Sequence, residues 1–94
     1  MSNNSTDTIF IGKKPLMTYV TSTIIQLATK PYVTIKARGL TTSLAIDVAQ
    51  IVLKKTNPAF KIDNISIDSE SLVASDGRNR DVSTIEISIK RTVA

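Results

Sequence analysis

Lys13 and Lys14 lie between Gly12 and Pro15, and Lys36 and Arg38 lie just before Gly39; each pair sits where an apolar, strand-like stretch hands over to an apolar helical one. Cations on such loops do one kind of chemistry well: they neutralise phosphates. If the flanking segments form one βαβ unit, its strands are parallel and its crossover right-handed, so both loops emerge at the same end of the sheet. Each loop also precedes a helix, whose first N–H groups and positive dipole end favour anions. Four cations and two helix N-termini then point at one surface, which suggests a polyanion such as nucleic acid. A further group, Ser75-Asp76-Gly77-Arg78-Asn79-Arg80, carries two arginines beside an Asp-Gly turn signal. On a projecting ribbon they could reach phosphates or a narrow minor groove; on a solvated turn they would be ordinary solubilising charges, with Asp76 and Asp81 cancelling them.

The inventory excludes much else. Cysteine and histidine are both absent, which removes disulfides, thiolate nucleophiles, the usual zinc ligand sets and Ser-His or Cys-His catalysis. Gly12-Lys13-Lys14 lacks the spacing of a P-loop, and three glycines form no dinucleotide fingerprint. Asp47, Asp63, Asp68 and Glu70 could supply a magnesium or acid-base site, but nothing in the sequence brings two of them together. The expectation is therefore no enzyme, no cofactor and no metal. No apolar run reaches membrane-spanning length, so no membrane partner is expected, and Met1 to Thr8 is polar rather than a signal sequence. The chain reads as soluble and intracellular, with residues 1–8 as a disordered tail and 9–94 as one domain.

Twelve Lys and Arg against eight Asp and Glu give a net charge of +4 and a pI near 9.6. Residues 1–62 hold eight of the cations and two of the acids, whereas residues 63–94 hold four and six. One face is expected to be basic.

These charges need elements to position them. Ile9 to Ile11 reads as a short strand, and Pro15 suits the first turn of a helix running to about Thr29, with Leu16, Met17, Val20, Ile24, Leu27 and Ala28 on its apolar face. Tyr32 to Ala37 alternates as a strand. Thr41 or Thr42 can cap a second helix that ends before Asn57-Pro58, with Lys54 and Lys55 near its negative end. Between Leu44 and Leu53 only Asp47 and Gln50 are polar. One sheet needs only one apolar stripe, so the surplus around Ile46 and Leu53 either meets a second subunit or packs within one. Phe60, Ile62, Ile65 and Ile67 alternate with a change of phase at Asp63-Asn64, the sign of a bulge. Ile85, Ile87 and Ile89 form a further inward row. Asp76-Gly77 reads as a two-residue hairpin turn, and the polar ribbon around it, about 20 Å long at six residues per side, is expected to protrude.

The order β-α-β-α-β-β with a long basic-tipped hairpin resembles the Alba family of archaeal chromatin proteins, from Ile9 to Arg91. The matching segments are Gly12-Lys13-Lys14-Pro15-Leu16-Met17-x-Tyr19-Val20, Ile35-Lys36-Ala37-Arg38-Gly39, Asp76-Gly77-Arg78 and Val82-Ser83-Thr84-Ile85-Glu86-Ile87. The resemblance implies an α+β two-layer sandwich, similar to the C-terminal domain of bacterial translation initiation factor three, with a protruding β-hairpin arm. It also implies a homodimer, or a heterodimer with a paralogue, that binds double-stranded DNA and often RNA with little sequence preference. Such a protein would coat or compact chromosomal DNA in the cytoplasm.

By motif, the resemblance assigns backbone contacts to Lys13, Lys14 and Arg38 and groove contacts to Arg78 and Arg80, and it marks Lys13 as an acetylation candidate. An RNA-binding subunit of a ribonucleoprotein such as ribonuclease P is the alternative. Phe10, Tyr19, Tyr32 and Phe60 are the aromatic residues and form no ribonucleoprotein motif, which disfavours single-strand reading. Three departures stand out. Leu40 and Leu44 occupy places where members often carry cations, which narrows the expected footprint. Thr56 stands where a bulky apolar residue often joins neighbouring dimers. Thr29-Lys30-Pro31 lacks the usual glycine.

Overall fold

The computed structural model describes residues 7–92. Its elements follow the expected order: β1 (Thr8–Phe10), α1 (Leu16–Leu27), β2 (Tyr32–Arg38), a 3-10 turn (Gly39–Thr41), α2 (Thr42–Thr56), β3 (Phe60–Val73) and β4 (Asn79–Arg91). The four strands form one sheet in the order β1-β2-β4-β3. β1 and β2 are parallel, in register Phe10 with Lys36, while β4 is antiparallel to both β2 and β3. Of the expected tail, residues 1–6 lie outside the described residues, and Thr8 is already paired with Thr34 in β1.

Period-two alternation sorts the strands into two faces. Val33, Ile35 and Ala37 of β2 and Ile85, Ile87 and Ile89 of β4 are buried against Val20 and Leu27 of α1 and Ala45, Val48, Ala49 and Val52 of α2. Both helices thus cover one face, giving an α+β two-layer sandwich. The opposite face carries Thr34 and Ser88, hydrogen-bonded across the strands at 3.0 Å, and charged neighbours.

The apolar face of α1 is rotated from the expected one. Met17 and Ala28 are exposed, whereas Tyr19 and Thr23 are buried. Two polar residues can enter the core because their hydroxyls are satisfied locally: Thr23 Oγ1 donates to the Tyr19 carbonyl at 2.7 Å, and Tyr19 Oη accepts from the loop before the helix. Pro15 stands one place before the first helical residue, at the N-cap. Thr41 does not cap α2 through its side chain. Instead its hydroxyl donates to the Arg38 carbonyl at 2.8 Å and closes the 3-10 turn, which places Gly39 at φ 62°, where only glycine is unstrained.

The bulge falls where the phase change put it, between Ile62 and Asn64. Beyond it, however, Ile65 and Ile67 lie uncovered, 55% and 79% exposed, because α2 reaches β4 but not the middle of β3. The hairpin turn also differs from the two-residue form. Gly77 N–H donates to the Ala74 carbonyl and Ala74 N–H to the Arg78 carbonyl, so Ser75 and Asp76 are the central residues and Gly77, at φ 84°, follows in the left-handed region. This is the three-residue loop with a glycine bulge. Five cross-strand pairs, Ser69 with Ser83 through Val73 with Asn79, extend past the last β2–β4 pair of Arg38 with Thr84. At about 3.3 Å per residue the arm projects about 17 Å, which accounts for the elongated 47 × 29 × 23 Å shape.

Candidate nucleic-acid interface

The parallel pairing of β1 and β2 sets the geometry of the site. Ile11 N–H donates to the Lys36 carbonyl at 2.9 Å, so the two strands hand over to their loops side by side. Because β4 runs antiparallel to β2, the arm grows from this same end. Lys13 and Lys14, Lys36 and Arg38, and the tip arginines Arg78 and Arg80 therefore share one end of the molecule. Both helices begin there as well. Neither has a side-chain cap or an acidic residue in its first turn, so their N–H groups and dipoles add positive potential at no cost in competing carboxylates.

Tyr19 holds the lysine loop in shape. Its hydroxyl accepts the Gly12 N–H at 2.8 Å and the Lys14 N–H at 2.9 Å, bridging the loop that presents both lysines. A side chain on Gly12 would meet that hydroxyl, since an added Cβ would lie 3.4 Å from it. Periodicity alone did not mark Tyr19 as part of the site. The available signal was its place seven residues after Gly12 in the matching segment.

The cations differ in how far they are already engaged. Arg38 Nη1 meets Glu70 Oε1 of the arm at 3.3 Å, and Lys36 Nζ meets Glu86 at 3.8 Å. Arg78 Nε lies 3.9 Å from Asp76 within its own turn, and the Arg78 N–H donates to the same carboxylate at 3.0 Å. Lys13, Lys14 and Arg80 have no ion-pair partner among the described residues. Arg80 does not pair with Asp81, because neighbours on a strand point to opposite faces. All of these pairs are well exposed, and exposed pairs are worth about 0–1 kcal/mol, so a phosphate can displace the carboxylate. Between the 3-10 turn and the arm lies an open notch lined by Leu40, Thr42, Arg80 and Ser83, and Leu40 at its rim is fully exposed. Leu44, the second apolar departure, instead packs against the core.

The expectation of one basic face needs correction. The arm end holds six cations (Lys13, Lys14, Lys36, Arg38, Arg78, Arg80) against five acids (Asp68, Glu70, Asp76, Asp81, Glu86). The opposite end holds Lys30, Lys54, Lys55, Lys61, Lys90 and Arg91 against Asp7 and Asp63, and the eighth acid, Asp47, lies within α2 between the two. Sequence halves do not map onto ends because β3 and β4 each run the full length of the molecule.

A two-layer β-α-β-α-β-β domain whose cations stand on loops and a projecting ribbon, rather than around a pocket, is the class that fold and site define. The Alba family model matches residues 7–69. The DNA/RNA-binding protein Alba of Nitrosopumilus maritimus is 62% identical over 95 residues, covering 100% of each chain, and that of Thermoplasma acidophilum is 43% identical over 84 residues, covering 88% of this chain and 93% of its own. Among solved structures, Alba from Thermoplasma volcanium superposes with a TM-score of 0.83 at 42% identity, covering 89% of this chain and 99% of that one. ALBA1 from Trypanosoma brucei shares the fold, with a TM-score of 0.75 at 19% identity over 95% of this chain and 72% of its own. The chain belongs to the Alba family.

Proposed function

We propose that this chain binds double-stranded nucleic acid through its phosphates, with DNA as the main target and little sequence preference, and that it acts as a dimer coating chromosomal DNA in the cytoplasm. The convergence of the lysine loop, Arg38 and the arm at one end carries the reading. Lys13 and Lys14 grip the backbone from the body, Arg38 trades Glu70 for a phosphate, and Arg78 and Arg80 enter a groove from the arm. Among the described residues these cations stand on loops, the end of β2 and the arm rather than along a helix, so phosphate neutralisation dominates and affinity falls steeply with salt. Acetylation of Lys13 would remove one exposed, phosphate-facing charge and weaken binding by the same electrostatics. The relatives' name covers DNA and RNA alike, which supports an RNA-binding role, as in a ribonucleoprotein, as the second reading.

Dimerisation draws support from an apolar surface on one side: Ile46 of α2 is half-exposed, and Ile65, Ile67 and Val73 of β3 are more so. Leu53 already packs against the core. A charge at Leu53 is therefore expected to unfold the chain, and a charge at Ile46 to leave a folded monomer. Parallel titrations of one duplex sequence as DNA and as RNA, at several salt concentrations, test the function. Steep salt dependence with tighter DNA binding is expected. Tighter RNA binding would select the second reading, and affinity independent of salt would contradict both.

A further inference from the structure

The sheet face turned away from the helices carries two aromatic side chains in the open. On β1, Ile9 and Ile11 are buried while Phe10 between them is 64% exposed; on β2, Val33 is buried while Tyr32 is 46% exposed. Strand alternation places both rings on the helix-free face. Such exposure is costly for a ring as large as phenylalanine, at roughly 25 cal/mol per Å² left in water, and nothing in the core requires it. The rings also have company. Phe10 pairs in register with Lys36, and Tyr32 heads a cross-strand row of Tyr32, Lys90 and Lys61. The register thus repeats one unit twice, an exposed ring with lysine directly beside it, about 13 Å apart along β2. Beside Phe10 the face opens into a hollow of about 450 Å³ whose rim includes Lys36, Arg38, Thr84 and Glu86.

We infer that this open face binds single-stranded nucleic acid, with Phe10 and Tyr32 stacking on bases and Lys36, Lys61 and Lys90 following the backbone. The chemistry is that of a four-stranded sheet whose exposed aromatics stack two or three bases. Lys36 pairs with Glu86 at 3.8 Å and Lys90 with Asp63 at 3.1 Å; both pairs are exposed enough to yield to phosphate. The row of Lys61 opposite Lys90 sets two like charges face to face, which destabilises a bare sheet and is relieved when an anion arrives. The face adjoins the surface proposed for duplexes at Lys36, Arg38 and Glu70, which line the hollow, whereas Lys13, Lys14 and the tip arginines do not. The absence of a ribonucleoprotein motif in the sequence does not exclude it, because the two rings come from strands joined by a helix and meet only through the β1–β2 pairing.

The experiment is fluorescence anisotropy with labelled 12-mer oligouridine, 12-mer oligothymidine and a DNA duplex, at one salt concentration. Phe10→Leu and Tyr32→Leu keep apolar bulk and remove the stacking plane, and far-UV circular dichroism verifies the fold of each. Each is expected to weaken single-strand binding about tenfold, the effect of one lost base stack, and to leave duplex affinity within twofold. Tyr32→Phe retains single-strand binding. Lys13→Ala with Lys14→Ala gives the reverse pattern, with the duplex weakened and the single strand spared. Failure of the duplex reading alone would show as unchanged duplex affinity in the Lys13→Ala, Lys14→Ala variant while Phe10→Leu and Tyr32→Leu still weaken single-strand binding. Unchanged oligouridine and oligothymidine affinity in the Phe10→Leu, Tyr32→Leu double variant would overturn the inference, as would equal losses on duplex and single strand, or no single-strand binding by the unmodified protein.

Discussion

The two ends of the molecule carry the same number of cations but set them against opposite ends of the helices. At the far end, Arg91 donates to the carbonyls of Leu27 and Ala28 at 3.3 and 3.4 Å and lies 5.3 Å over the Phe60 ring, closing the C-terminus of α1. Lys54 and Lys55 occupy the last turn of α2, and Lys90 binds Asp63. Arg91, Lys54 and Lys55 thus answer the negative ends of two helices. At the arm end the helices contribute positive N-termini, and Lys13, Lys14 and Arg80 stand without partners among the described residues. Formal charge ranks the ends in the wrong order, since the arm end has five acids and the far end two. What separates them is which helix ends the cations stand beside, negative C-termini at the far end and positive N-termini at the arm end.

The arm is where this contrast can be broken most severely. Replacing Leu72 to Asp81 by a tight turn removes two arginines and no core residue, since the buried isoleucines of β4 begin at Ile85. Duplex affinity is expected to fall by about 2–3 kcal/mol, from two charged contacts, with circular dichroism and melting temperature nearly unchanged. Arg78→Ala alone, at the exposed tip, should account for more of that loss than Arg80→Ala. Equal affinity for the truncated and complete proteins would reduce the arm to a spacer.

A smaller effect sharpens the same comparison from inside the body. Tyr19→Phe leaves the Gly12 and Lys14 N–H groups without their acceptor, costing about 1–2 kcal/mol of stability and loosening the loop that carries both lysines. Chemical denaturation measures the first effect and duplex titration the second. Lost stability with duplex affinity intact would show that the lysines need no fixed loop.

How much of this was legible in the sequence follows from which features are local. The strand order around Ile9 to Ala37, the bulge at Asp63-Asn64 and the inward row of Ile85, Ile87 and Ile89 all appear as alternation within a few residues. Tyr19 and Thr23 were not read as core because polar groups enter an interior only with partners, and those partners lie in a loop and on the preceding turn. The Arg38–Glu70 pair joins residues 32 apart in sequence, which only the β2–β4–β3 register brings together. Phe10 and Tyr32 each alternate with apolar neighbours in sequence, but only the parallel β1–β2 register puts them on one face.

Smallest of the expected effects is a gain. Glu70→Gln releases Arg38 from its 3.3 Å partner and removes a carboxylate from the approach of the duplex. Affinity should rise by about 0.5–1 kcal/mol, measurable as a severalfold lower Kd at low salt. A fall instead would mean that Glu70 positions Arg38 rather than competing for it.

The claim that presentation rather than charge count defines the interface is tested most directly by the salt dependence of duplex binding in two matched double variants. Lys13→Ala with Lys14→Ala, and Lys54→Ala with Lys55→Ala, remove the same charge from opposite ends. The first is expected to reduce the magnitude of the log–log salt slope by about two, one per lost phosphate contact, and the second to leave it unchanged. Equal reductions in both, or a larger one for Lys54 and Lys55, would contradict the account.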